Sequence, residues 1–131
     1  MYVEKPALVV TPSTKKDGVD IINYAKAQDL KAMPACGGHS NFVPIDGKTI
    51  YVDMKKTDNT PLDKDTSTIE LGGGIIACQF GKYITMEGYC TGWPTSIAVG
   101  TAGLTVGCGM VSRWAVHERG AADIDSNRHF W

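Results

Sequence analysis

Cys36-Gly37-Gly38-His39-Ser40-Asn41 decides the reading of this 131-residue chain. Adjacent glycines let backbone N–H groups come close to a ligand, and several convergent N–H donors suit a pyrophosphate. Ser40 and Asn41 add side chains able to hydrogen-bond an anion, and His39 adds a nucleophile. A solvated turn gives the same letters, so the flanking sequence carries the argument.

Upstream, Ala7-Leu8-Val9-Val10 is a short apolar run that reads as a buried strand. Ser13 or Thr14 then offers an N-cap, with Asp17 in the first turn of a helix ending near Asp29. Val19, Ile22 and Leu30 are expected to form its apolar face. Lys31 to Ala35 reads as a second strand running into the glycine loop. The first third is thus a β-α-β unit, whose helical crossover permits parallel pairing and favours a right-handed connection.

Downstream, Thr49 to Met54 alternates as a third strand, and the polar stretch Lys55 to Lys64 reads as an exposed connection between two lobes. Ser67 to Leu71 is another strand, stopped by Gly72-Gly73-Gly74. Ile75 to Met86 carries Ile76, Phe80, Tyr83 and Ile84 at helical spacing, with Gly88 ending the helix. Ile97 to Gly100 enters a second glycine region, Gly100 to Gly109, and Met110 to Val116 reads as helical. The expected fold is α+β: a β-α-β subdomain of residues 1–57 packed on a mixed sheet-and-helix lobe of residues 58–131. A ligand groove lies between them.

Composition narrows the function. Hydrophobic residues make up 43% and charged residues 21%, ordinary for one folded domain. A formal charge of −1 gives no electrostatic footprint for nucleic acid or an anionic membrane. No stretch reads as a membrane span, and the start lacks a signal peptide's pattern, so a cytoplasmic location is expected. Cys36, Cys78, Cys90 and Cys108 lack zinc-ribbon spacing and read as free thiols in preference to disulfides. His117-Glu118 reads as a solvated helix end, so no metal is expected. Trp93, Trp114 and Trp131 read as core or interface residues.

Four stretches together resemble the FAD-binding domain of the vanillyl-alcohol oxidase / p-cresol methylhydroxylase (PCMH) superfamily, and within it the berberine bridge enzyme-like oxidases. Pro12-Ser13-Thr14 with Asp17 and Val19 resembles the family's opening. Ala35-Cys36-Gly37-Gly38-His39-Ser40 resembles its R-x-G-G-H-S loop. Ile50 to Met54 resembles its I-V-I-D-L-x-x-M strand. Val99 to Gly109 resembles V-G-V-G-G-L-T-L-G-G-G, and Ser112-Arg113, Gly120 and Ala122-Asp123-Ile124 follow in order.

The resemblance implies FAD as cofactor, contacted by Cys36, Gly37, Gly38, His39, Ser40, Asn41, Gly100, Thr101, Gly103, Leu104, Gly107 and Ile124. It implies a covalent bond from His39 to the flavin 8α-methyl, as in many members. Ser96 stands where bicovalent members have a cysteine, so at most one bond is expected. Three departures bear on the cofactor. Ala35 replaces the usual arginine, removing one cationic phosphate partner, while Ala102 and Cys108 replace glycines. Members are several times longer and carry a substrate domain, and no substrate domain is expected within these 131 residues.

The leading expectation is an FAD-binding, oxidoreductase-like protein, one half of a flavoenzyme completed by a complementing chain or by a homodimer. Two alternatives stand beside it. One is a cofactor-free isomerase, dehydratase or cyclase reusing the groove, with His39, Asp53 or Tyr51 as acid–base groups. The other is a non-catalytic interaction module.

Overall fold

The computed structural model describes residues 5–39, 43–89 and 94–107. Three expected features fall outside the described residues: the helix over 110–116, the three tryptophans, and the His117-Glu118 pair.

The first lobe is a β-α-β-β arrangement. Strand β1 (Leu8–Val10) leads into helix α1 (Lys15–Ala27), then β2 (Lys31–Ala35) and β3 (Thr49–Asp53). Both outer strands pair parallel to β3, giving the order β1-β3-β2. The crossover therefore joins two strands that are not neighbours, and β3 fills the gap between them.

Thr14 caps α1, its hydroxyl accepting from the Asp17 N–H at 3.1 Å. Asp17 reciprocates, accepting from the Ser13 and Thr14 N–H groups at 2.8 and 2.9 Å, a capping box. Those bonds hold the Asp17 carboxyl below its usual range. Asp29, with φ at +51°, turns the chain from α1 into β2.

The helix face differs from the expected one. Ala25, Ile21 and Leu30 pack on Ile50, Val52 and Val10, whereas Val19 and Ile22 are 56% and 49% exposed. The expected face had the right period and the wrong phase: Ile21 and Ala25, four apart, stack toward the sheet and leave Val19 and Ile22 outside. The other sheet face carries Val9, Tyr51 and Met33 in one register row, with Val9 64% exposed.

A short 3-10 turn (Met54–Lys56) follows β3. Strands β4 (Leu62–Asp63) and β5 (Thr68–Ile69) then form an antiparallel hairpin, so part of the expected connection is a strand. Helix α2 (Ala77–Met86) buries Phe80 and Ile84 with Ile75 against Leu62, Ile69, Leu71 and Tyr89. Gly88, with φ at +83°, ends it as expected. Helix α3 (Thr101–Val106) occupies much of the second glycine region.

Gly72-Gly73-Gly74 locks the lobes together. A Cβ at Gly72 would strike the Thr57 carbonyl, and one at Gly74 the Met54 carbonyl. The Gly72 N–H donates to Asn59 and the Gly74 N–H to Thr57, at 2.8 and 2.9 Å. Its glycines serve backbone packing. A Lys15–Glu70 ion pair at 3.1 Å adds a surface link.

Candidate functional site

The two glycine stretches meet. A side chain on Gly37 would strike the Ala98 carbonyl and come within 2.9 Å of the Gly100 nitrogen. One on Gly100 would lie 2.8 Å from Cys36 Sγ. Backbone therefore crosses backbone at a separation only glycine permits. The meeting place is the C-terminal end of β2, and ligands of parallel α/β sheets bind outside the carboxyl ends of their strands.

Ile75 and the segment 97–99 hold the crossing in place. The Ile75 carbonyl accepts from the Thr101 N–H at 3.0 Å and from the Cys36 thiol at 3.5 Å. Ile76 and Gly100 form an antiparallel bridge. Ala77 and Cys78 donate to Val99 and Ile97 at 2.8 and 3.0 Å. Burial pushes the Cys36 thiol up, only partly offset by the Gly37 N–H, while the Asp53 charge adds to the rise. Cys36 is thus a protonated, half-buried donor turned to the protein, and the loop's backbone is left for a ligand.

Helix starts leave N–H groups without intrahelical partners. At α1 Asp17 fills that role, and at α2 the carbonyls of 97–99 do. At α3 only the Thr101 N–H is taken, by Ile75. The first-turn N–H groups of Ala102 and Gly103 have no partner among the described residues.

Among the described residues a Cβ on Gly38 or on Gly103 would meet nothing within 4 Å, and Gly38 takes φ of +63°. His39 is exposed beside it. Thr101 is buried, and its hydroxyl oxygen has no hydrogen-bond partner among the described residues. Leu104 is half-buried, its N–H donating to Gly100 at 3.0 Å, and Gly107 closes α3 on Gly103 at 2.9 Å. Backbone donors without a partner among the described residues, next to the Gly37–Gly100 crossing, fit a diphosphate.

Nine of the twelve expected cofactor residues are thus described, and eight of them line or hold the crossing; Gly107 ends the helix behind it. Ser40, Asn41 and Ile124 lie outside the described residues, as do Cys90 and Cys108. Asp53 stands at the end of β3, its carboxyl lowered chiefly by Lys55. Tyr51 lies on the sheet face away from α1. Sequence reasoning missed α3, since two glycines in Gly100–Gly103 argue against a helix; the Thr105 hydroxyl bond to the Thr101 carbonyl, at 2.9 Å, was its available signal. It also missed the pairing of 97–99 with the start of α2.

Among the described residues no cluster of three or more His, Cys, Asp or Glu side chains could hold a metal ion. Nor is any helix among them long and apolar enough to cross a membrane.

Known proteins agree with this geometry. The chain is 26% identical over 111 residues to an FAD-linked oxidoreductase (srdI) of Neurospora crassa, covering 82% of this chain and 22% of that protein. It is 25% identical to berberine bridge enzyme-like D-2 of Nicotiana tabacum, covering 83% and 21%. It is 28% identical to an FAD-linked oxidoreductase (hasG) of Aspergillus fumigatus, covering 90% and 25%. The chain thus spans a quarter or less of the length of these relatives. The crystal structure of 6-hydroxy-D-nicotine oxidase from Arthrobacter nicotinovorans superposes with a TM-score of 0.68 at 23% identity, over 79% of this chain and 23% of that one. At that identity the likeness speaks for the fold, which is the expected PCMH type. Nothing among these relatives favours a cofactor-free enzyme or an interaction module. The sequence profile described as "FAD binding domain" matches residues 6–120, and the chain belongs to that FAD-binding family.

Proposed function

We propose that this chain is the diphosphate-holding part of an FAD-linked oxidoreductase. The observation that carries the reading is the crossing of Gly37 with Gly100, which brings the glycine loop to the start of α3, where the Ala102 and Gly103 N–H groups have no partner among the described residues. Cys36, Gly37 and Gly100 build the crossing. Gly38, His39, Ser40, Asn41, Thr101, Gly103 and Leu104 border the cofactor, and Gly107 and Ile124 complete the set. Subdomains of residues 1–57 and 58–131 flank the groove. When bound, the flavin supplies hydride acceptance from a substrate carbon and electron transfer onward to oxygen. The chain's own part is to bind, orient and, through the His39 imidazole, anchor the cofactor.

A partner completes the lobe: a second copy or a complementing chain. Exposed Val9, in register with half-buried Tyr51 and Met33, supports this, because parallel sheets are ordinarily covered on both faces. Sedimentation of the purified chain tests it; a clean monomer that takes up no second chain counts against a partner.

The cofactor is tested by the visible spectrum before and after acid precipitation. Flavin bands staying with the pellet support the His39 bond, and bands left in the supernatant mean non-covalent FAD. A colourless protein that takes up no added FAD sinks the proposal. In His39→Ala, covalent flavin should be lost and some non-covalent binding kept; undiminished retention in the pellet removes His39 from that role.

A further inference from the structure

A diphosphate brings negative charge to a site whose donors, as described so far, are neutral backbone groups. A cation nearby is therefore expected, and position 35, where the resemblance has arginine, is alanine. The ion pairs point to its replacement. Lys31–Asp46 and Lys48–Asp29 sit at the entry to β2 and β3. Lys15–Glu70 and Lys16–Asp20 lie on α1, and Lys64–Glu87 ties the hairpin to the end of α2. Among the described ion pairs, only Lys55–Asp53, at 2.8 Å, stands at the carboxyl end of the parallel sheet.

Its placement is specific. Asp53 and Ala35 are the last register pair of the β2–β3 ladder, directly before Cys36 and the glycine loop. Asp53 lies close enough to that loop for its charge to act on the Cys36 thiol. The Asp53 carboxylate accepts from both the Lys55 ammonium and the Lys55 backbone N–H, the latter at 3.2 Å. Gly74 presses the backbone from behind, where even a Cβ would stand 3.1 Å from the Lys55 Cα. Backbone and carboxylate thus hold a solvent-facing ammonium beside the position an arginine at 35 would occupy.

We propose that Lys55, steadied by Asp53, is the cation that meets the cofactor's diphosphate, replacing the absent arginine from the turn that follows the neighbouring strand. This rests on the FAD reading above. Lys55 acts as a binding residue through a charge-assisted hydrogen bond to a phosphate oxygen.

The test is FAD titration in a His39→Ala background, so that no covalent bond masks affinity, at low and high salt. Lys55→Gln should weaken FAD about tenfold at low salt, a size ordinary for a lost hydrogen bond to a charged group, and flatten the salt dependence. Lys56→Gln, one residue on, should stay within twofold of the parent. Adding Ala35→Arg to Lys55→Gln should restore affinity, because it returns a cation to the same ladder pair. Thermal melting of the apoprotein should be unchanged by Lys55→Gln, since the side chain is exposed. Unchanged FAD affinity in Lys55→Gln, an equal loss in Lys56→Gln, or failure of Ala35→Arg to rescue overturns the proposal. If the parent takes up no FAD at all, the FAD reading falls and Lys55 falls with it. A parent that binds while Lys55→Gln is silent removes Lys55 alone.

Discussion

Gly72-Gly73-Gly74 and the Gly37–Gly100 crossing have similar letters and different surroundings. At the first, Cβ positions on Gly72 and Gly74 run into the carbonyls of Thr57 and Met54, and at Gly73 into the end of the Met54 side chain. At the second, a Cβ on Gly37 meets the Ala98 carbonyl and one on Gly100 meets the Cys36 side chain, but Cβ positions on Gly38 and Gly103 meet nothing within 4 Å among the described residues. Glycines whose Cβ positions all run into neighbouring atoms are there for packing. A crowded pair flanked by glycines with no described neighbour leaves backbone N–H groups that a ligand's oxygens can reach. Neighbouring Cβ contacts separate the two cases.

Gly74→Ala is expected to have the largest effect. The new methyl meets the Met54 carbonyl and the Lys55 Cα, both backbone atoms that cannot swing aside. Overpacking of this kind costs on the order of 3 kcal/mol, a large part of a small domain's stability. Denaturant unfolding of the apoprotein should show the loss without any cofactor present. A Gly74→Ala protein of parental stability would mean the lobes are not locked there.

Gly37→Ala should cost about 2 kcal/mol through the Ala98 carbonyl and should also abolish FAD retention, because it pries the crossing apart. Stability lost with FAD affinity intact would reduce the crossing to packing and erase the contrast. The open glycines should behave in the opposite way. Gly38→Ala pays only the strain of a side chain at φ of +63°, roughly 1 kcal/mol. Gly103→Ala should be neutral or stabilising by up to about 1 kcal/mol, since alanine favours a helix. Both should weaken FAD more than they weaken the fold, as read by titration beside thermal melting. If Gly103→Ala binds FAD like the parent, the start of α3 is not part of the platform.

Much of this was legible in the sequence because it rests on local rules. Thr14 and Asp17 announce a capping box, Gly88 a helix end, and Leu8 to Val10 and Thr49 to Asp53 announce strands. What was not legible depends on long-range contact. Val19 and Ile22 have helical spacing with Leu30, but only the sheet decides that Ile21 and Ala25 point inward. Glycine triplets read alike until the opposing backbone is known. The α3 helix forms on a glycine-poor propensity argument's wrong side, steadied by the Ile75 carbonyl 26 residues earlier in the chain. Lys55 looked like the start of an exposed linker, because its importance lies in the register of β3 with β2.

The two ends of the parallel sheet offer the last and smallest contrast. The carboxyl end carries the glycine loop; the amino end carries Asp46, which accepts from Lys31 at 2.8 Å, from the Thr49 hydroxyl at 2.7 Å and from the Lys48 N–H at 3.0 Å. Those bonds, the Lys31 bond foremost, lower its carboxyl from 3.8 to about 2. A carboxyl lowered by folding contributes stability that is fully present above its unfolded value. That contribution therefore holds above about pH 4 and fades as pH falls through 2. Asp46→Asn should flatten part of the acid limb of a melting-temperature profile between those values, with Asp17, Asp53 and Asp63 keeping the remainder. FAD affinity at neutral pH should not change, because Asp46 stands at the far end of the strands from the crossing. A loss of FAD affinity in Asp46→Asn would mean that the sheet couples its two ends, and that the separation of a structural end from a binding end is wrong.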